Sequence, residues 1–152
     1  MEKKLVRILL ADDFARFRTM VASMLEKQAE LQVIGTASNG LEAVLQAEQL
    51  KPDLILLDIG LPKLNGIEAA RQIRLVSPKS IILFLSANAS LEIAQEALRT
   101  GARGYVFKAD ATDELLMAVN TVLSGKRFVS DRFTHHGVIW RTDVEPPSEQ
   151  SF

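Results

Sequence analysis

Five short, largely apolar runs are the feature that most constrains the fold of this 152-residue chain. They are LVRILLA (5–11), LQVIGTA (31–37), LILLDI (54–59), IILFLSA (81–87) and GYVF (104–107). Strands that are apolar on both faces are typical of a parallel sheet covered by helices on both sides. A helical pattern follows each run, so the sequence predicts five βα units. Right-handed crossovers between such units give a doubly wound, three-layer α/β sandwich.

Helix boundaries are marked by capping residues. Asn39 lies three residues before Glu42, which is the pattern of an N-cap with a reciprocal acid. A helix from about Leu64 to Val76 is predicted to end before a proline. The other predicted N-caps are Ser90 for the fourth helix and either Asp110 or Thr112 for the fifth.

Composition excludes several classes of protein. The 18 basic and 19 acidic residues leave a net charge of −1, which gives no electrostatic case for nonspecific binding to nucleic acid or to an anionic membrane. The chain has no cysteine, and therefore no disulfide or thiolate metal site. No apolar run approaches the roughly 20 residues of a membrane span, and nothing resembles a signal peptide. We therefore expect a cytoplasmic protein.

Polar side chains follow four of the five runs. Asp12 and Asp13 follow the first, Asp58 ends the third, Ser86 ends the fourth and Lys108 follows the fifth. Ligands of open parallel sheets bind outside the carboxyl ends of the strands. The sequence thus predicts three carboxylates, one hydroxyl and one ammonium group at one edge of the sheet.

Clustered carboxylates repel one another unless a cation shares them, and oxygen ligands without His or Cys suit Mg²⁺ or Mn²⁺. A lysine and a serine can bind the oxygens of a phosphoryl group. The set therefore fits phosphoryl transfer, with a carboxylate as nucleophile. Each residue alone also has an ordinary interpretation as a helix cap, turn residue, loop serine or solvated lysine. For the site to be absent, all of these ordinary interpretations would have to be true at the same time, each at the end of a different strand.

Four stretches have the order and spacing of a known family. LLADD (9–13), DIGLPKLNG (58–66), LSA (85–87) and GARGYVFK (101–108) resemble the receiver domain of two-component response regulators, over about residues 4 to 126. The resemblance implies the flavodoxin-like (βα)5 fold with strand order 2-1-3-4-5. Ala109 stands where many receivers have proline. The stretches GARGYVFKAD (101–110) and GKRFVS (125–130) instead resemble the NarL/FixJ-type subfamily.

The resemblance implies roles for the acidic residues. Asp58 would accept a phosphoryl group from a sensor histidine kinase. Asp13 and Asp58 would bind Mg²⁺ directly, together with the backbone carbonyl of Gly60, and Asp12 would bind it through water. Mn²⁺ is expected to substitute. Turnover of an external substrate is not expected beyond self-phosphorylation and autodephosphorylation.

The resemblance also implies a switch. Ser86 and Lys108 would each bind a phosphoryl oxygen, and the aromatic ring of Tyr105 would change position with the Ser86 loop. The surface of helix 4, strand 5 and helix 5 would then control an output, with a homodimer as one form of it. Members of this subfamily usually regulate transcription through a helix-turn-helix domain, which we expect to lie outside this chain. The alternative is a single-domain receiver that acts as a phosphate-regulated protein-interaction module.

Other site classes fit the first loop less well. Aspartyl phosphatases of the haloacid-dehalogenase type need an Asp-x-Asp pair after the first strand, whereas this chain has Asp12, Asp13 and Phe14. Nucleotide and flavin binders need a glycine- or hydroxyl-rich phosphate loop there. A degenerate receiver that only binds partners is disfavoured because all five site positions are filled.

The periodic pattern breaks after residue 126. We therefore predict a receiver domain over residues 1–126 and an irregular tail or linker over 127–152. The tail contains His135, His136 and Trp140. A metal site or phosphorelay role for the adjacent histidines lacks supporting ligands, so a linker role is favoured.

Overall fold

The computed structural model describes residues 4–88 and 90–134. Its parallel sheet has the order β2-β1-β3-β4-β5-β6. The strands are β1 (Val6–Ala11), β2 (Leu31–Ala37), β3 (Leu54–Asp58), β4 (Ile81–Ser86), β5 (Gly104–Phe107) and β6 (Phe128–Val129). The helices are α1 (Ala15–Glu26), α2 (Gly40–Leu50), α3 (Gly66–Val76), α4 (Leu91–Arg99), α5 (Ala111–Leu123) and the short α6 (Asp131–Thr134). The predicted fold class is confirmed, with one strand more than expected.

The two faces of the sheet are both buried, which explains the continuous apolar runs. Leu9 and Leu57 belong to a core cluster shared with α2, α3 and α4. Leu10 and Leu56, their neighbours along the strands, belong to a second cluster shared with α1 and α5. Successive side chains of a strand point to opposite faces, so each central strand has to be apolar at nearly every position.

The predicted N-caps of α2 and α4 are confirmed. Asn39 Oδ1 accepts a hydrogen bond from the Glu42 amide at 2.8 Å, and Ser90 Oγ accepts one from the Ile93 amide at 3.3 Å. The third helix begins at Gly66, two residues later than predicted, because Asn65 caps it.

Asp110 is the N-cap residue of α5, which decides between the two predicted candidates. Its side chain makes no capping hydrogen bond. The carboxylate accepts a hydrogen bond from Arg132 Nε at 3.2 Å instead. This residue therefore links the start of α5 to α6.

The segment after α5 differs from the irregular tail that the sequence predicts. Phe128 and Val129 pair with Gly104 and Tyr105 of β5, and a helical turn follows. Arg127, Phe128, Val129, Ser130 and Phe133 are all buried. A two-residue strand has no periodicity to detect, and its stability depends on a distant partner. The packed unit therefore continues past the boundary predicted after residue 126, while His135, His136 and Trp140 lie outside the described residues.

Among the described residues, no helix has the length and apolar character required to cross a bilayer.

Candidate functional site

Three carboxylates meet at the carboxyl edge of the sheet, as the sequence predicts. β1 and β3 are neighbours, so the residues after β1 lie beside the end of β3. One carboxylate oxygen each of Asp12, Asp13 and Asp58 lies within 4.8 Å of the others. Asp12 is fully buried and Asp58 is 5% exposed, whereas Asp13 is open to solvent. This edge of the sheet therefore carries a concentration of negative charge, and two of the three carboxylates are buried.

Lys108 supplies the positive charge at this cluster. Its Nζ lies 2.6 Å from Asp12 Oδ2 and 3.3 Å from Asp58 Oδ2, and its side chain is only 15% exposed. The same Nζ lies 4.7 Å from the centre of the Phe17 ring. The ammonium group is thus held between two carboxylates and an aromatic face.

Phe17 is a site residue that sequence reasoning missed. Its helical spacing placed it on the inward apolar face of α1, and it does pack against the core there. Contact with the ammonium of Lys108 depends on where the end of β5 reaches across the sheet edge. The local sequence of α1 therefore gives no indication that Phe17 contacts Lys108.

Backbone amides fix how the two buried carboxylates point. Asp12 Oδ1 accepts a hydrogen bond from the Phe14 amide at 2.8 Å. Asp58 Oδ1 accepts one from the Gly60 amide at 3.1 Å. Each carboxylate therefore uses Oδ1 in its own loop and turns Oδ2 toward Lys108.

The environment of Asp58 disfavours its ionised form. Burial raises the pKa of Asp58 above its ordinary value of 3.8, and the nearby charge of Asp12 raises it further. Lys108 and the Gly60 amide act in the opposite direction without cancelling the rise. Further positive charge at this carboxylate would therefore be stabilising.

Ser86 and Tyr105 are joined through the loop that follows β4. Ser86 is buried, and its Oγ accepts a hydrogen bond from the Asn88 amide at 2.9 Å. The Tyr105 hydroxyl donates to the Asn88 carbonyl at 3.1 Å. Burial raises the pKa of Tyr105, the charge of Asp58 adds to this rise, and the Ser86 side chain opposes it. The ring is fully buried, so Tyr105 is in an inward position.

The donor set fits a hard divalent cation. All three clustered ligands are carboxylate oxygens, which suit Mg²⁺ or Mn²⁺. Asp12 Oδ2 is buried, and the ammonium of Lys108 lies beside it at 2.6 Å. This oxygen has capacity for a further electrostatic partner, whether a cation or a water bound to one.

The fold and the site together define a class: doubly wound parallel α/β domains with an acidic cluster and a lysine at the carboxyl edge of the sheet. Residues 8–120 match the family described as the response regulator receiver domain. The chain belongs to this family.

Curated relatives place the chain near regulators of the NarL type. It is 39% identical over 121 residues to the transcriptional regulatory protein LnrK of Bacillus subtilis, covering 80% of this chain and 55% of that protein. It is 36% identical over 127 residues to the nitrate/nitrite response regulator protein NarL of Escherichia coli, covering 84% and 59%. The chain thus spans little more than half the length of these relatives.

Solved structures agree with this assignment. A LuxR-family two-component response regulator from Aurantimonas superimposes with a TM-score of 0.82 at 30% identity, over 87% of this chain and 94% of that one. The receiver domain of a putative NarL from Mycobacterium tuberculosis gives 0.76 at 29% identity, over 81% and 99%. The predicted family and its NarL-type subgroup are confirmed.

Proposed function

We propose that Asp58 is the phosphoacceptor of this receiver domain, taking its phosphoryl group from a phosphohistidine of a sensor kinase. The observation that carries the proposal is the position of Asp58. It is a nearly buried carboxylate with a raised pKa, 3.3 Å from Lys108 and clustered with two further carboxylates. Such a charge is costly to keep at the edge of a core unless it serves chemistry.

The transfer is a displacement at phosphorus. A carboxylate oxygen of Asp58 attacks the phosphorus atom, the bond from phosphorus to the imidazole nitrogen breaks, and the nitrogen leaves with the electron pair. An acyl phosphate results. Later attack by water on phosphorus returns the carboxylate and releases inorganic phosphate. Lys108, already beside Asp58, neutralises charge on the phosphoryl oxygens.

Asp13, Asp58 and the backbone carbonyl of Gly60 would hold Mg²⁺ directly, and Asp12 would hold it through water. When bound, the cation supplies positive charge that offsets the carboxylates and the phosphoryl oxygens. The exposed Asp13 is the member of the cluster that solvent reaches, which suits the entry of a hydrated ion.

Phosphorylation would act on the loop after β4. Ser86 Oγ, now the acceptor for the Asn88 amide, would donate its hydroxyl proton to a phosphoryl oxygen. Movement of this loop would change the position of Tyr105, because the Tyr105 hydroxyl donates a hydrogen bond to the Asn88 carbonyl. The equilibrium of the α4–β5–α5 face would shift with the phosphorylation state, whether the face then binds a second copy or another partner.

The output proposed for the protein is control of transcription. LnrK of Bacillus subtilis is named a transcriptional regulatory protein, and the match to this chain covers only 55% of its length. DNA contact would come from a helix-turn-helix domain beyond this chain, consistent with the chain's net charge of −1.

Acetyl phosphate, a small phosphodonor, tests the proposal without a kinase. Wild type, Asp58→Asn and Asp113→Asn are incubated with it, with Mg²⁺ or with EDTA, and resolved on a phosphate-affinity gel. Asp113 is an exposed carboxylate on α5, so its variant is the matched control. We expect a shifted band for wild type and the control in Mg²⁺ alone. A shifted band for Asp58→Asn would refute the acceptor assignment.

A further inference from the structure

The segment over residues 127–134 is held against β5 by hydrogen bonds to its backbone and by a ring contact with Tyr105. The Ser130 amide donates to the Tyr105 carbonyl at 3.0 Å. Ser130 Oγ accepts a hydrogen bond from the Phe107 amide at 2.9 Å and donates to Glu114 Oε1 at 2.5 Å. Ser130 itself is fully buried, and its partners Phe107 and Glu114 are partly buried. The segment therefore follows the backbone of β5 at the residue that the switch uses.

Phe133 contacts the Tyr105 ring itself. The two ring centres are 5.2 Å apart, with planes at 89°, an edge-on arrangement that aromatic pairs favour. Phe84 of β4 also lies near Tyr105, with ring centres 6.4 Å apart. Phe133 is 2% exposed, and all three rings belong to one core cluster. The position of the Tyr105 ring thus depends on α6 as well as on the sheet.

Tyr105 therefore contacts two separate parts of the chain, the loop after β4 and the segment after α5. Its hydroxyl is bonded to the Asn88 carbonyl, next to the amide that Ser86 accepts from. Its ring and backbone contact Phe133 and Ser130. A change at one end alters the packing at the other, because a fully buried ring has little free volume.

We propose that Phe133 is a positioning residue for Tyr105, which couples the docking of residues 127–134 to the Ser86–Asn88 loop. The inference rests on the proposed function, since it assigns Phe133 an effect on the phosphoacceptor site. Phe133 favours the inward position of Tyr105, in which the Tyr105 hydroxyl holds the Asn88 carbonyl and so orders the loop beside Ser86 for contact with a phosphoryl group. Coupling of this kind is reciprocal, so phosphorylation tightens the docking of the segment by the same factor.

Arg132 offers a matched control within the same helical turn. Its guanidinium lies 4.1 Å from the Phe107 ring centre and bonds Asp110, so it also fastens α6. These contacts run to the end of β5 and the start of α5 instead of to Tyr105. Arg132→Ala therefore weakens the docking of α6 without removing a contact to Tyr105. Because Phe133 is buried and Arg132 is exposed, exchange of the Ser130 amide is used to report how far each variant undocks the segment.

The experiment uses beryllofluoride with Mg²⁺, a phosphoryl mimic that has been used with a similar receiver. Its affinity is measured by calorimetry for wild type, Phe133→Ala, Phe133→Leu and Arg132→Ala. Hydrogen exchange of the Ser130 amide is followed in the same samples. We expect about a fivefold loss of affinity in both Phe133 variants, within the usual range for coupled sites, and less than about a twofold change in Arg132→Ala. Beryllofluoride should slow Ser130 exchange in wild type but not in the Phe133 variants.

Equal affinities in all four proteins, or an equal loss in Arg132→Ala and Phe133→Leu, would overturn the inference and leave the proposed function intact. Should Phe133→Ala fail to fold, Phe133→Leu decides, because it keeps an apolar side chain and removes only the ring. Failure of wild type itself to bind beryllofluoride would overturn the proposed function and the inference with it.

Discussion

At the residue scale, the charge of Asp58 conflicts with its buried environment. Its pKa is raised mainly by burial, so the folded chain holds this proton more tightly than the unfolded chain does. Below the ordinary value of 3.8 both states are protonated, and the conflict costs no stability. As pH rises from there through the raised pKa, the unfolded state ionises first and the folded state loses stability relative to it.

Asp58→Asn removes this cost. In EDTA, the variant should unfold at a higher temperature than wild type at neutral pH, and the two curves should converge as pH falls below 3.8. Thermal unfolding followed by circular dichroism across pH measures both. Parallel curves at all pH values would mean that Asp58 has no such conflict. Added Mg²⁺ should stabilise wild type more than the variant, because the cation binds the charged cluster.

Phe17 is expected to hold Lys108 in place through its ring. Contacts between an ammonium group and an aromatic face contribute about 0.5–2 kcal/mol, so complete loss of the contact in Phe17→Leu should slow phosphorylation by acetyl phosphate about two- to thirtyfold. Phe17→Tyr keeps a ring and should react at nearly the wild-type rate. Rates are measured by phosphate-affinity gel at fixed Mg²⁺.

A double-mutant cycle separates this effect from packing. In a Lys108→Met background, Phe17→Leu should change the rate no further, because its partner is already absent. If the leucine substitution slows the reaction equally in both backgrounds, Phe17 acts through the core and not through Lys108.

At the scale of elements, the start of α3 determines where the Asp58 loop lies. A Cβ atom on Gly66 would come within 2.2 Å of the Asp58 carbonyl oxygen and 2.7 Å of the Ile59 Cα, both backbone atoms. The Gly66 amide also donates to the Ile59 carbonyl at 2.8 Å. The helix can approach the strand end this closely only with glycine at its first position.

Gly66→Ala should therefore destabilise the chain by about 1–3 kcal/mol, the usual cost of overpacking a filled site. Gly60→Ala is the control, since its Cβ would meet only Asp58 Oδ1 at 4.0 Å, an ordinary contact. Urea unfolding of both variants measures the difference. Equal stabilities would show that the loop moves aside without cost.

Elements with a strong local pattern were predictable from the sequence, whereas those that depend on a distant partner were not. The five main strands follow from burial on both faces, and Asn39 and Ser90 cap helices as their positions indicate. β6 has two residues and is stabilised by pairing with β5, so no periodicity predicts it. Phe133 was assigned to an irregular segment for the same reason. Its contact with Tyr105 forms only when the chain returns to the sheet edge.

At the scale of the whole molecule, strand order determines which residues can react together. β1 lies between β2 and β3, so Asp12 and Asp13 stand beside Asp58 although 44 or more positions separate them in the sequence. Lys108 directly follows β5, which lies two strands from β3, and its long side chain reaches the cluster. The sequence predicts this convergence because parallel strands all end at one edge. It does not predict that Lys108 pairs more closely with Asp12 than with Asp58.

Dimerisation is one form that the switched output can take at this scale. Met20 on α1 and Met117 on α5 are exposed apolar side chains, 37% and 63% accessible. We expect phosphorylation to convert monomer to dimer, and Met117→Glu to prevent the conversion if α5 lies in the interface, because a buried unpaired charge is costly. Sedimentation velocity with and without acetyl phosphate measures the change. An unchanged wild-type monomer would contradict a phosphorylation-driven dimer.

The central claim is that the phosphoryl group is carried by Asp58, and locating it within the chain tests this most directly. Wild type is phosphorylated with acetyl phosphate and Mg²⁺ and then reduced with borohydride, which converts an aspartyl phosphate to homoserine. Peptide mass spectrometry then locates the modified residue. We expect homoserine at position 58 alone, with none when Mg²⁺ is withheld. Modification at Asp12 or Asp13, or a phosphoryl group retained on a histidine, would contradict it.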